Sequence, residues 1–458
     1  MKPRTVYRPD MRVSELVQEY TSSVGHDHVI AREVVETALI HVLALAEQGL
    51  LEKGVACKLA SVLRELVRDP GPLVEGMEGF EDIHEALEAI LEERAGRVAA
   101  RSFPLGRSRN DHVAMALRLW TARMLTRILC ELAALVETML EKSRAWAETP
   151  FPLHTHFQPA QVGTAGHWLH SYTEAFIDAG RLLATAAWLA LRSPLGSGPG
   201  AGTTLPLDRG RYPLPPVLNT LYATGSRLFA NAAIAASAVL MIEASRLAAD
   251  IVLLSHPGIG ALRVPEEHVS TSSAMPHKRN PVTAEVLRAR AARLAGLLAA
   301  ALSVNHGLPH GYNLDLQEEN PLLYQALGDT LDSIRVLHDL VKRLEVDAGA
   351  VERLIRAGAV LDSLEKAELL SVKERIPFRD AYLEVARRVR GGGSDKPLEP
   401  REVIKARVSL GAAGEGLHQA IDEARKLLDG LQGECQSLTR VLEDVSRWVE
   451  EVYSRLCG

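Results

Sequence analysis

One apolar stripe constrains this chain before anything else does. Val113, Leu117, Trp120, Met124, Ile128, Leu132, Leu135 and Met139 recur at steps of three or four residues. That period belongs to one face of an α-helix and conflicts with the alternation of a strand. The pattern reaches roughly to residue 147 and meets Pro150 and Pro152, which stop it. A helix of that span is on the order of 50 Å long. Asn110 or Asp111 suits its N-cap.

Four more long helical patterns follow, at roughly 161–191, 220–255, 281–304 and 321–346. The last is led by Asn320 and Pro321, a capping residue and a proline at the first helical position. Five such helices in series imply an elongated bundle. Several are apolar on more than one face, as in AARLAGLLAAAL from Ala291. A helix of that kind must be covered on several sides, which predicts oligomerisation through the bundle. Shorter helices are expected around 11–24, 29–50, 55–68 and 80–96, and more short ones beyond residue 348. The stretches 193–216 and 391–400 are rich in Gly and Pro and read as loops. The expected architecture is all-α. A small helical domain over 1–106 precedes the long bundle over 107–347, and a second small helical domain covers 348–458.

Composition narrows the partners. The net charge of -6 provides no basic footprint for nucleic acid or for an anionic membrane. The most apolar helix, FANAAIAASAVLMIEASRLAA, carries Asn231 and Glu243 and reads as bundle core, not as a membrane span. The start, MKPRTVYRPDMRV, lacks the apolar run of a signal peptide. The four cysteines form no Cys-x-x-Cys pair. A cytoplasmic protein with reduced thiols is expected.

Polar clusters gather at the ends of the long helices: GRSRNDH (106–112), HTHFQPAQ (154–161), TSSAMPHKRNP (271–281) and YNLDLQEEN (312–320). If neighbouring helices run antiparallel, clusters from one chain fall at alternate ends, and a site shared between chains follows. Arg107, Arg109, Lys278 and Arg279 supply positive charge. Helix N-termini near Asn110, Gln161 and Pro281 supply oriented N–H groups. Together these suit a ligand with several carboxylates or a phosphate. Ser272 and Ser273 offer a hydroxyl as base or nucleophile once activated. His156 is a proton donor or acceptor of the type that works at neutral pH. Glu285, one turn into its helix, is placed to orient an imidazole. Taken singly, each cluster also has a plain structural reading as a cap, a surface ion pair or a helix lead-in. A metal set from His154, His156, His167, His170 and Glu174 lacks an HExxH motif or a Cys partner, so no metal is assigned.

TSSAMPHKRNP is similar to the Gly-Ser-x-x-Met-x-x-Lys-x-Asn-Pro signature of the fumarase/aspartase superfamily, with Thr271 where Gly is usual. SSVGHD (22–27), EDIH (81–84) with Glu88, GRSRND (106–111), THFQPAQ (155–161), GHW (166–168), PLGSGPGAG (194–202), YNLDLQE (312–318) and IPFRDAY (376–382) resemble the argininosuccinate lyase branch in order and spacing. The resemblance implies a homotetramer whose central domains form a twenty-helix bundle. Each of its four sites is built from three chains and needs no cofactor. It implies Ser272 as base, Lys278 and Asn280 holding the developing charge, and His156 with Glu285 protonating the departing nitrogen. Thr155, Asn110, Ser23, Tyr312 and Gln317 are implied substrate ligands. Asp27 belongs with Ser23 in an N-terminal binding pattern, and Arg109 and His84 lie close by. The chain departs from the family at Leu153-His154 for Gly-Tyr, at His112 for Gln and at Glu319-Asn320 for Asp-Lys, where a lysine for a substrate carboxylate is missing. The N-terminal Trp-Gly-Gly-Arg-Phe motif is absent. The form AMPHKRNP also occurs in adenylosuccinate lyases, which makes that activity the same-class alternative. A non-catalytic relative that keeps only the fold is the alternative of a different class. The retained His156, Ser272, Lys278 and Glu285 argue against it.

Overall fold

A computed structural model describes residues 14–357, 361–390 and 398–458. Most of the expected loop at 391–400 therefore lies outside the described residues. Seven helices come first: α1 (Glu15–Thr21), α2 (Val24–Asp27), α3 (Ala31–Glu47), α4 (Lys53–Arg68), α5 (Gly71–Gly76), α6 (Ile83–Ala95) and α7 (Arg97–Ser102). The bundle holds α8 (Arg109–Ala145), α9 (Ala165–Ala190), the short α10 (Thr220–Gly225), α11 (Leu228–Leu254), α12 (Val282–Asn305) and α13 (Glu319–Arg343). Then come α14 (Ala348–Ala357), α15 (Ser363–Glu374), α16 (Phe378–Arg390), α17 (Pro400–Lys405) and α18 (Glu415–Cys457).

The stripe that opened the sequence is buried as its period requires. Leu117, Ile128, Leu132, Leu135 and Met139 are all fully buried, and α8 packs on α9, α13 and α18. α11 is the one described helix long and apolar enough to cross a membrane. It packs instead on α9, α12 and α13, with Trp168 Nε1 of α9 donating to Asp250 at 2.8 Å. The side of α11 that carries Leu228, Val239 and Ile242 is exposed within the chain. An apolar face left open in this way fits the expectation that further subunits cover the bundle.

Several local expectations are corrected. The first long helix is capped by Ser108, not Asn110 or Asp111; Asp111 completes a capping box with it. No helix begins at Gln161. Residues Pro150–Thr155 (β1) and Gln158–Thr164 (β2) form an antiparallel hairpin, and α9 starts only after Thr164 caps it. Three prolines in these strands (Pro150, Pro152 and Pro159) hid the hairpin from a reading by strand propensity. The remaining strands are two-residue pieces: β3 (Leu262–Arg263), β4 (Ser270–Thr271), β5 (Arg279–Asn280) and β6 (Glu345–Val346). α13 begins at Glu319, so Asn320 and Pro321 lie inside its first turn, not before it.

The last helix overturns the expectation of short helices beyond residue 348. α18 is 43 residues long and runs back along the bundle to α3 and α4. It is riveted there. Cys435 is bonded to Cys130 of α8, and Cys457 to Cys57 of α4. The expectation of reduced thiols is thus overturned: both pairs are disulfides, joining residues 305 and 400 apart. No spacing rule reaches across such separations.

Candidate active site

The connections place α8, α11 and α13 in one direction and α9 and α12 in the other. Residues at the N-terminus of α8 are then about 55 Å from those at its C-terminus, at 1.5 Å for each of its 37 residues. The candidate residues divide between these two ends.

At the α8 N-terminal end, Arg109 reaches Asp82 at 2.9 Å and Glu81 at 3.5 Å. Asp82 is fixed as the N-cap of α6 by Glu85 N–H at 2.8 Å. Asp27 accepts the Ser23 hydroxyl at 2.8 Å and Ile83 N–H at 3.1 Å. Desolvation nevertheless pushes the Asp27 carboxyl up to about 6. Gln317 donates to the Thr21 carbonyl at 2.9 Å, which ties the 312–320 segment to the N-terminal helices. The Tyr312 phenol is held above its ordinary range by burial, and it feels the charges of Arg227, Asp82, Arg109 and Asp27. Arg227 is itself fully buried 5.9 Å from the Tyr312 ring, and among the described residues its Nε has no hydrogen-bond partner. Ser23, Asp27, Arg109, Tyr312 and Gln317 thus meet in one neighbourhood. Asn110 borders it and donates to the Pro199 carbonyl at 3.3 Å.

The Gly-rich loop is drawn to the same place. Asp111 accepts Gly198 N–H at 3.0 Å. Gly198 has φ 55, and a Cβ there would sit 2.8 Å from the Gly202 carbonyl oxygen, so only glycine fits. Beneath lies a buried imidazole cluster. His41 donates from Nε2 to the Leu105 carbonyl and accepts from the Tyr212 hydroxyl at 2.9 Å. His112 packs edge-on to it, 5.1 Å between ring centres. Burial holds His41, His84 and His112 neutral, with Arg107 adding to the effect. His84 is therefore a buried neighbour of Arg109 and not an exposed side chain. The cluster also gives His112, the departure from the family's Gln, a packing partner.

The other end holds the proton-transfer candidates. Thr155 is the last residue of β1, and His156 and Phe157 are the two central residues of the hairpin turn, with φ 54 and 58. Both angles are left-handed, as in a type I′ turn, where Asn and Gly are the usual occupants. Each non-glycine residue there costs about 1–2 kcal/mol. Strain of this kind persists only where the surroundings enforce it. Thr155 and His156 are exposed, and among the described residues His156 makes no hydrogen bond or ion pair.

Residues 270–280 form an exposed excursion whose base is the β4–β5 pair, Ser270 opposite Asn280 and Thr271 opposite Arg279. His268 anchors its approach, 3.0 Å from both Thr283 and Asp339. The Ser272 hydroxyl oxygen accepts N–H groups from Ala274 at 3.2 Å and Met275 at 3.1 Å. Lys278 and Glu285 are exposed. Ser272, Lys278, Asn280 and Glu285 thus share one loop and the helix turn after it. No hydrogen bond among the described residues joins them to the hairpin. One chain thus holds three separate groups of candidate residues, one at the α8 N-terminal end and two at the other, and among the described residues no hydrogen bond joins one group to another.

Sequence reasoning quoted EDIH and the Glu319 departure but gave Glu81, Asp82 and Glu319 no role, and it passed over Arg227. Glu81 and Asp82 hold Arg109, and Arg227 stands behind Tyr312; none of these lies in the motif it serves. Glu319, one of the two departures beside Gln317, is buried and accepts from Asn305 at 2.9 Å. Desolvation pushes it up to about 7.

A family described as "Lyase" matches residues 8–296. The argininosuccinate lyase of Pyrobaculum calidifontis is 41% identical over 411 residues, 89% of this chain and 94% of that protein. The argininosuccinate lyase of Sulfurisphaera tokodaii is 35% identical over 444 residues, 96% of each. Among solved structures, EDDS lyase in complex with formate has a TM-score of 0.83 at 20% identity, over 99% of this chain and 98% of that one. Class II fumarase from Schistosoma mansoni has a TM-score of 0.66 at 16% identity, over 82% and 90%. At those identities the two structures speak for the shared fold alone.

Proposed function

The chain belongs to the argininosuccinate lyase family of the fumarase/aspartase superfamily, and we propose that its three separate groups of site residues combine across subunits to carry out the family's reaction. It is a carbon–nitrogen lyase, cleaving argininosuccinate to arginine and fumarate in arginine biosynthesis. The proton removed sits on a carbon beside a carboxylate, so the intermediate carries two negative charges on that group. Catalysis then consists largely of stabilising that charge with preorganised donors.

Ser272 is the base. Two backbone N–H groups already point at its oxygen, and such donors favour the charged form of the group they bind. Lys278 and Asn280 hold the developing dianion. His156, oriented by Glu285 of another chain, protonates the guanidino nitrogen as the carbon–nitrogen bond breaks. Ser23, Asn110, Thr155, Tyr312 and Gln317 hold the substrate, and Asp27, Arg109 and His84 set the polarity around them. The reaction takes no cofactor.

The observation that carries this reading is the placement of these groups at opposite ends of a bundle whose helix α8 is about 55 Å long. Subunits packed antiparallel through the open faces of α11 and its neighbours bring opposite ends together. A homotetramer with shared sites, working in the cytoplasm, is the assembly that results. Release of fumarate, followed by its ultraviolet absorbance with argininosuccinate and adenylosuccinate offered in parallel, tests the activity. Fumarate from adenylosuccinate alone would refute it.

A further inference from the structure

The hairpin that presents His156 is poorly equipped to hold itself in place. It has two strands only, and an isolated pair is marginally stable. Pro150, Pro152 and Pro159 contribute no N–H to its ladder. The register shifts between Leu153 and His154: Leu153 pairs with Gln161, but His154 pairs with Pro159. Such a bulge breaks the ladder and re-aims what lies beyond it. Beyond it lie Thr155 and the two left-handed residues His156 and Phe157. The sheet alone therefore does not set where the imidazole points.

An anchor is attached from outside at the level of the bulge. Glu365, in the first turn of α15, accepts from Gln161 Nε2 at 3.1 Å through Oε1. The same oxygen accepts from Arg407, which follows α17. The other arm of the Arg407 guanidinium donates to the Val162 carbonyl. Two consecutive residues of β2 are thus tied to one ion pair whose side chains are only 19% and 12% exposed. Val162 also packs with Leu361 and Ile404 in a small apolar cluster of its own, apart from the main core. We infer that Glu365 and Arg407 are positioning residues: from the C-terminal helices they fix the hairpin at its bulge and so aim His156 into the shared site.

The proposal rests on the assignment of His156 to proton transfer. Its geometry makes a specific demand. A fork with two donor arms reaches both the Val162 carbonyl and Glu365, whereas a lysine offers one point of attachment. Without Arg407, Glu365 keeps a largely buried carboxylate whose Oε2 has no hydrogen-bond partner among the described residues. A misplacement of about 1 Å of a catalytic group costs on the order of 100-fold in rate.

The test compares Arg407→Ala, Arg407→Lys and Glu365→Gln in the intact protein, by steady-state kinetics and by backbone hydrogen–deuterium exchange of residues 150–164. Arg401→Ala, on exposed ground in α17, is the control. The expected result is a fall in kcat of about 10- to 100-fold, with KM changed less than about twofold and exchange in the hairpin accelerated. Arg407→Lys should fall between wild type and Arg407→Ala. If Arg407→Ala fails to fold, Glu365→Gln carries the test, since it removes the charge and keeps an acceptor for Gln161. Unchanged kcat, or a rise in KM alone, overturns the proposal, as does hairpin exchange equal to that of wild type. A wild-type protein that releases no fumarate overturns the functional reading instead, and the exchange data still decide whether the anchor holds the hairpin.

Discussion

Replacing Cys57 and Cys457 together by serine removes the rivet between the end of α18 and α4. Taken alone, this disulfide closes a loop of 400 residues. With Cys130–Cys435 in place the chain has a short cut, and the loop closed by Cys57–Cys457 runs through 73 residues on one side and 22 on the other. Loop closure over about 95 residues corresponds to about 4.7 kcal/mol of unfolded-state entropy. Arg64 with Glu450 and Arg455 with Glu47 also pin α18 there. Glu450 and Arg455 are more than half exposed, so these pairs replace little of the loss. With an unfolding entropy of about 2.1 cal/mol/K per residue, the variant's Tm falls by about 5 °C. The assay is thermal unfolding of wild type and the double variant, each with and without reductant, alongside a count of free thiols in denaturant. Reductant opens both disulfides, so wild type should lose more on reduction than the double variant loses by mutation. Four free thiols in the unreduced wild type, or a variant with unchanged Tm, would refute the reasoning.

Other outcomes follow from the same geometry. His156→Asn lowers kcat by about 100- to 10,000-fold and leaves oligomer size by light scattering unchanged; undiminished turnover would remove His156 from the chemistry. Gly166→Ala destabilises the protein by about 3 kcal/mol, read by urea unfolding. An added Cβ would meet the Ser143 carbonyl oxygen at 2.2 Å and Ala147 N at 2.8 Å, both backbone atoms that cannot swing away; a tolerated alanine would count against that packing of α9 on α8. Acid should weaken the fold through His41. Its folded pKa is lowered by burial to about 4 from 6.5, so the unfolded chain binds more protons between those values. Stability is complete above about pH 6.5 and lost as pH falls toward 4, by about 3 kcal/mol. The buried carboxyls of Asp27, Asp111 and Glu319 are shifted upward and act in the opposite sense. Comparing urea stability at pH 7 and pH 4.5 in wild type and His41→Gln isolates the histidine, and an equal pH dependence in both would show it does not contribute. Substrate or product should protect the exposed 270–280 excursion from proteolysis, and unchanged cleavage would argue that this loop does not close.

The long helices were legible because burial imposes a period on sequence. Leu117, Ile128, Leu132 and Leu135 must face one way whatever surrounds them, so α8 announces itself. The ends of the helices were legible too, since polar clusters such as GRSRNDH and TSSAMPHKRNP break that period at defined places. The hairpin was not. Its strands contain three prolines and rest on distant segments, among them Leu361 and Ile404, which pack on Val162 from roughly 200 residues further on. The length of α18 was missed for a related reason. Its apolar positions belong to four different helices, α8, α9, α3 and α4, and the disulfides that pin it join residues hundreds apart.

Sequence alone therefore determined the helical bundle, the polar character of its ends and the identity of the side chains placed there, because these depend on neighbours within a few residues. Only the tertiary structure decided which clusters share an end, that Ser23, Asp27, Arg109, Tyr312 and Gln317 meet while His156 and Ser272 lie at the other end of the bundle, and that Glu365 and Arg407 tie down the His156 hairpin. Those are contacts between distant segments, and their energies arise from desolvation and geometry that no local pattern records.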